Sequence, residues 1–173
     1  NTAIGYQCLD GTDDGAWNTA VGYQALSANC GNNNVAVGVS SLILCTGQAN
    51  TSIGTEASKA LTSGEYNVAV GNGALADLVE GSSNVAIGNS AFGGALDTAA
   101  DASTDNVFIG RDAGAGAWVT AVSNNNIGIG SYSMNAAMNG AKSNIALGYD
   151  SLGALTTGDA NVAIGAYYDG TYK

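Results

Sequence analysis

Asn67-Val68-Ala69-Val70-Gly71 decides the fold, because the chain repeats this phrase, with small changes, ten times. The pattern is Asn, any residue, a small residue, Ile/Val/Leu, Gly. It opens at Asn1, Asn18, Asn34, Asn50, Asn67, Asn84, Asn106, Asn126, Asn144 and Asn161. Each copy keeps its glycine four residues on, at Gly5, Gly22, Gly38, Gly54, Gly71, Gly88, Gly110, Gly130, Gly148 and Gly165. Successive copies lie 17, 16, 16, 17, 17, 22, 20, 18 and 17 residues apart. Self-similarity at such a period marks a stack of repeated structural units.

The phrase reads as a strand, since side chains alternate with period 2. Val35 and Val37, Val85 and Ile87, and Ile145 and Leu147 point one way. Between them stands Ala in seven copies, with Ser52, Phe108 and Gly128 as the exceptions. No charge occurs on either face, and all fourteen acidic residues fall between the phrases. A strand with one solvated face alternates apolar with polar residues, and this one does not. The pattern therefore predicts one face buried in the chain's own coil and the other, the small Ala face, covered by a neighbouring chain.

Weaker rows follow each strand. Seven residues after the Asn stands something small, as at Cys8, Ala25, Ser41, Ala74 and Ala91. The next residue is usually large: Leu9, Leu26, Leu42, Leu75, Phe92, Met134, Leu152. A third row appears at Leu61, Leu78 and Leu155 and fades elsewhere. Leu75, Leu78 and Val79 fit a turn of helix equally well, so strand-like and helical arcs both stay open here.

These rows predict an all-β chain, a parallel β-solenoid (β-roll) of about ten 16–22-residue coils forming one repeat domain over residues 1–173. At strand spacing, ten coils make a rod roughly 48 Å long. Asparagine carries both donor and acceptor, so an Asn row can bond to itself along the stack. Glycine after the aliphatic residue suits positive φ or close backbone approach. The absence of proline fits strands that must all donate their N–H groups.

Composition excludes much else. There are 173 residues, four Lys and Arg against fourteen Asp and Glu, no His, and a formal net charge of −10. Without histidine there is no Ser-His-Asp triad and no ordinary zinc site. Four cations make no footprint for nucleic acid. No apolar run is long enough for a membrane span. The chain starts at Asn1 without a signal-like segment, which points to a processed product or an excerpt of something longer. Cys8, Cys30 and Cys45 read as buried fillers, with a Cys30–Cys45 bridge as the alternative. Hexapeptide solenoids need an aliphatic residue every six positions, but Leu147 is followed by Gly153 and Val70 by Ala76. The calcium-binding nonapeptide pattern is missing too, and threonine follows the Asn only at Thr2, Thr19 and Thr51, too rarely for an ice-binding face.

Asn18 to Leu26 (NTAVGYQAL) and Asn84 to Phe92 (NVAIGNSAF) resemble the head repeats of trimeric autotransporter adhesins, and still more the repeats of phage tail-fibre and related surface-fibre proteins. The likeness spans essentially the whole chain. It implies a parallel β-roll packed side by side as a trimer, in an extracellular, cell-surface or virion fibre. The adhesin repeat is shorter than this one, so the extra arc is expected to be built differently.

The longest arcs, after Asn84 and Asn106, are where a binding site is expected, because insertions in solenoids map to surface loops. Asp97, Asp101 and Asp105 are candidates for a hard cation such as calcium, with a solvated acidic loop as the alternative; no other cofactor is expected. Arg111, Asp112, Trp118 and Tyr132 are candidates for contact with a glycan or protein receptor. Tyrosines recur just after the glycine at Tyr6, Tyr23 and Tyr149, with Tyr167, Tyr168 and Tyr172 near the end. The functional expectation is a non-catalytic fibre or adhesin segment that presents loops for attachment. One alternative is a filament subunit stacking head to tail. Another is a tailspike-type depolymerase using two carboxylates, for instance Asp101 with Asp112.

Overall fold

The computed structural model describes residues 1–11, 14–94, 102–118 and 121–166. It is all-β. Ten strands follow the ten asparagines: β1 (Thr2–Ile4), β2 (Thr19–Val21), β3 (Val35–Val37), β4 (Thr51–Ile53), β5 (Val68–Val70), β6 (Val85–Ile87), β7 (Val107–Ile109), β8 (Ile127–Ile129), β9 (Ile145–Leu147) and β10 (Val162–Ile164). They form one parallel sheet in sequence order, so the chain is a β-solenoid. Like residues stand in register, Ala20 beside Ala36 and Ala69 beside Ala86. Gly22 N–H donates to Ile4 O, and Thr2 N–H to Asn18 O, both at 2.8 Å; the same ladder runs on to Gly165 N–H and Leu147 O. The helical option for the arcs does not occur: among the described residues every arc is a series of turns.

The two faces of each strand are assigned the other way round from the expectation. Ala20, Ala36, Ala69, Ala86 and Ala146 have 0% exposure and form the inner wall, whereas the aliphatic residues on either side of them look outward. The small face is therefore no chain–chain interface. The reason is thickness. Opposite the strand, across the coil, stands the small row Ala25, Ser41, Ala57, Ala74, Ala91, Ala113 and Ser133, also fully buried. Ser41 Oγ reaches over to donate to Ser52 O at 3.0 Å. Two walls so close leave room for one small side chain each.

Beside this narrow gap lies the wider part of the core. Leu26, Leu42, Leu75, Phe92 and Met134 form one buried row. The row that fades in the sequence recurs in space among the described residues, with Cys45, Leu61, Leu78, Trp118 and Met138 all buried there. Each such Leu contributes about 1.5–3 kcal/mol of transfer free energy. The sharp turns that bring these rows inward use left-handed backbone at the residues six and eight after each Asn, as at Ser90 (φ 52) and Phe92 (φ 49), and at the residue just before it, as at Ser83 (φ 59). A left-handed non-glycine residue costs roughly 1–2 kcal/mol, and the ladder of hydrogen bonds holds it there.

The asparagine row bonds to itself as expected. Asn84 N–H and Nδ2 both donate to Asn67 Oδ1, at 2.9 and 3.2 Å, while Nδ2 also reaches Ser103 O at 2.9 Å. Its own Oδ1 accepts from Asn106 N–H at 3.0 Å. The same exchange links the row from Asn34 to Asn161. At the glycine row both anticipated reasons hold: Gly71 has φ +138°, and a Cβ there would lie 2.3 Å from Gly88 O in the next coil. A further small row, three residues before each Asn, went unread in the sequence. Gly31, Gly47, Gly64 and Gly81 offer their carbonyls to the asparagine Nδ2 groups of the preceding coil.

Candidate functional site

Repetition fixes where each candidate lies. The fifth and sixth residues after an Asn leave the glycine turn on the outside of the coil, and in-register stacking sets them one above another. Arg111 and Asp112 hold these places in the seventh coil, Ser131 and Tyr132 in the eighth, Tyr149 and Asp150 in the ninth. Their backbones are tied together: Tyr132 N–H donates to Arg111 O at 2.9 Å and Asp150 N–H to Ser131 O at 3.0 Å.

The side chains meet in a cluster. The Arg111 guanidinium lies over the Tyr132 ring, 4.8 Å from its centroid, and Nη2 donates to the Tyr132 hydroxyl. Asp112 Oδ2 stands 3.6 Å from Arg111 Nε. The rings of Tyr132 and Tyr149 meet edge to face, centroids 5.7 Å apart and planes at 78°. Tyr149 is 56% exposed, so one ring face is open to solvent. Toward the earlier coils the same row continues through Asn89, whose Nδ2 donates to Asn72 O at 3.4 Å and Oδ1 at 3.3 Å. Still further along it, Tyr6 and Tyr23 stack at 5.8 Å, with the Gln24 amide donating to Gln7 Oε1 at 3.0 Å.

Three of the four predicted contact residues, Arg111, Asp112 and Tyr132, thus come together. Trp118 does not join them. It is fully buried, packed on Phe92 (4.5 Å between centroids) and Phe108 (5.7 Å), and is a core residue unable to meet a receptor. Its arc folds inward because the third core row needs a large apolar residue in that coil. Trp17 sits in an exposed turn at the opposite end of the burial scale, in keeping with its different place in the repeat. Tyr149 was legible as a tyrosine of the glycine-following row, but one repeat on from Tyr132 stands Asp150, so the pairing of Tyr132 with Tyr149 joins neighbouring rows and was not signalled by spacing.

Of the cation candidates, Asp97 and Asp101 lie outside the described residues, and so does the depolymerase pairing of Asp101 with Asp112. Asp105 occupies an exposed turn (φ 59), where its carboxylate accepts from Thr104 Oγ1 at 3.0 Å. Among the described residues no three Asp, Glu, Cys or His side chains gather as a metal site. Cys8, Cys30 and Cys45 form no disulfide, so the alternative of a Cys30–Cys45 bridge does not occur. No helix among the described residues is long and apolar enough to cross a membrane. Tyr167, Tyr168 and Tyr172 lie outside the described residues.

The class these features define is a repeat protein, a ten-strand parallel β-solenoid with a cationic-aromatic cluster on one outer edge. No protein-family model, no curated protein and no solved structure matches the chain.

Proposed function

We propose that this chain is a non-catalytic structural segment of an extracellular or virion fibre or adhesin, packed side by side with two further copies, that presents its outer edges for attachment to a host or surface. The observation that carries this reading is the outward strip of aliphatic side chains. Seventeen of the twenty outward strand positions are Val, Ile or Leu, the others being Thr2, Thr19 and Thr51. Ile53, Ile87 and Ile129 are each about two-fifths exposed in the single chain. The strip runs along all ten coils, roughly 48 Å by two residues, on the order of 400 Å². The largest apolar patch on an ordinary monomer is of about that size and is often functional.

A second copy is the partner that suits the strip. It offers one outward pair per coil, both members aliphatic in seven of the ten, a periodicity that another stack of the same rise reproduces along its full length. It is also uncharged in a chain of net charge −10, so two such chains can approach along this line without bringing carboxylates together. Replacing two outward residues, Val70→Glu with Ile87→Glu, is expected to convert a discrete oligomer near three times 17.0 kDa into monomers with an unchanged far-UV spectrum. Native mass spectrometry and negative-stain images of the same samples read this out. A monomeric unmutated chain, or an oligomer indifferent to both substitutions, would overturn side-by-side packing; long filaments would favour the head-to-tail alternative.

A further inference from the structure

We infer that the edge cluster of Arg111, Tyr132 and Tyr149 is a binding site for an uncharged sugar residue of a glycan. The inference rests on the attachment role proposed above and names the chemistry of its ligand. Three features carry it. First, the site is rigid. Tyr132 is held in left-handed backbone (φ 62), its N–H bonded to Arg111 O in the preceding coil and its neighbour Ser131 accepting from Asp150 N–H in the next, and its hydroxyl and ring face are both engaged by Arg111. The cost of ordering side chains at binding is therefore already met before a ligand arrives.

Second, the site is two-sided in chemistry. The exposed ring of Tyr149, set edge to face with that of Tyr132, is a flat apolar platform of the size of a pyranose C–H face. On the far side of Tyr132, two coils from Tyr149, stand a guanidinium, Arg111, whose side chain is 58% exposed, and the carboxylate of Asp112. A fork of donors next to an acceptor suits neighbouring hydroxyls, which both give and accept hydrogen bonds. Amide side chains continue the row at Asn89 and Asn72, so the polar border extends along the rod in the direction a chain of sugars would take.

Third, the charge selects against acidic ligands. Arg111 is the chain's sole arginine and is already paired with Asp112, while Asp150 follows Tyr132 in the same row of the next coil. One cation among two carboxylates, on a chain of net charge −10, repels carboxylated or sulfated sugars. A site for sialic acid or a uronic acid would leave its arginine unpaired for a bidentate contact.

The test is a printed array of neutral gluco-, galacto- and manno-configured oligosaccharides beside their sialylated and sulfated counterparts, probed with the full chain. The best neutral hit is then titrated by calorimetry. Tyr149→Ala and Arg111→Met are each expected to weaken that hit about tenfold, whereas Tyr66→Ala, an exposed tyrosine on another row, leaves it unchanged. Circular dichroism checks that the variants keep the fold. Binding only to the anionic members, binding to none, or neutral binding indifferent to Tyr149 and Arg111 would each overturn the inference. These results separate from the assembly reading: a trimer that binds no neutral sugar defeats this site alone, and a monomer with Tyr149-dependent binding defeats the trimer alone.

Discussion

Phe108 stands where seven other coils have Ala, and its neighbours account for how the narrow gap takes it. A Cβ on Gly128, the corresponding residue of the next coil, would lie 2.8 Å from its ring; one on Gly114, across its own coil, would lie 2.7 Å away. The two missing side chains open the volume that the ring fills, and Phe92 and Trp118 close around it. Gly128→Ala should therefore destabilise the chain by about 1–3 kcal/mol through overpacking. The same change on a Phe108→Ala background should cost far less, because it restores the usual Ala–Ala step; urea midpoints of the four variants measure the coupling. A second residue-scale effect concerns Cys45. Burial pushes its thiol from 9.0 up to about 11, with the contact to Gly47 O pulling the other way. The folded state then holds its proton more tightly than the unfolded chain, so this group's stabilisation is complete below about pH 9 and is lost as pH rises toward 11. The wild type should lose roughly 2–3 kcal/mol more than Cys45→Ala across that window, measured by denaturant melts at stepped pH. Of these residue-level facts the sequence exposed Phe108 and Gly128 as exceptions. It could not show that they compensate each other, since they are twenty residues apart and become neighbours only through coil stacking.

At the scale of the element, the three-residue strand carries its meaning in which face is which. Period 2 separated Val68 and Val70 from Ala69 without difficulty, yet both sets are apolar, and hydrophobicity alone does not say which one looks inward. Size decides it: only Ala, Ser or Gly fits opposite the small row, with Phe108 admitted by its two glycines. Glutamate at the two faces should then behave differently. Ala69→Glu puts a carboxylate into a fully buried gap with no cation within the coil, and should unfold or aggregate the chain, while Val70→Glu keeps the fold and reports on assembly. Thermal melts beside particle mass distinguish the two; a folded, soluble Ala69→Glu protein would refute the inner-wall assignment. The third core row shows the complementary failure of reading. Leu61 and Leu78 stand eleven residues after their asparagines, but Trp118 and Met138 stand twelve after theirs, and the residue type changes from Cys45 to Trp118. A row that shifts by one position and changes chemistry disappears from an aligned repeat, although its described members are all buried in the core.

For the whole molecule, the architecture was legible because a stack is specified ten times over. Asparagine and glycine at fixed places are read once and apply everywhere. The edge cluster was legible only in its members, Arg111 and Asp112 as residues of a long arc and Tyr132 as an aromatic; that they meet follows from coil stacking. Trp118 misled because a long arc was equated with an exposed one, whereas what an arc buries depends on the core row it must complete. The strip and the edge cluster lie on different rows, one on the sheet and one beyond the glycine turn, so packing against copies and meeting a ligand need not compete. One property of the sheet reaches further. Among the described residues every strand pairs only with its neighbours in sequence, and no long-range strand clasps the two ends together. Pulled by its termini, such a chain has no single mechanical clamp. It should yield one coil at a time, each of 16–22 residues lengthening the tether by roughly 55–75 Å, and force spectroscopy should record a train of small, nearly equal steps. A single large rupture would mean that coils share load beyond their nearest neighbours. A fibre made this way gives ground gradually under drag and can rewind coil by coil when the load falls.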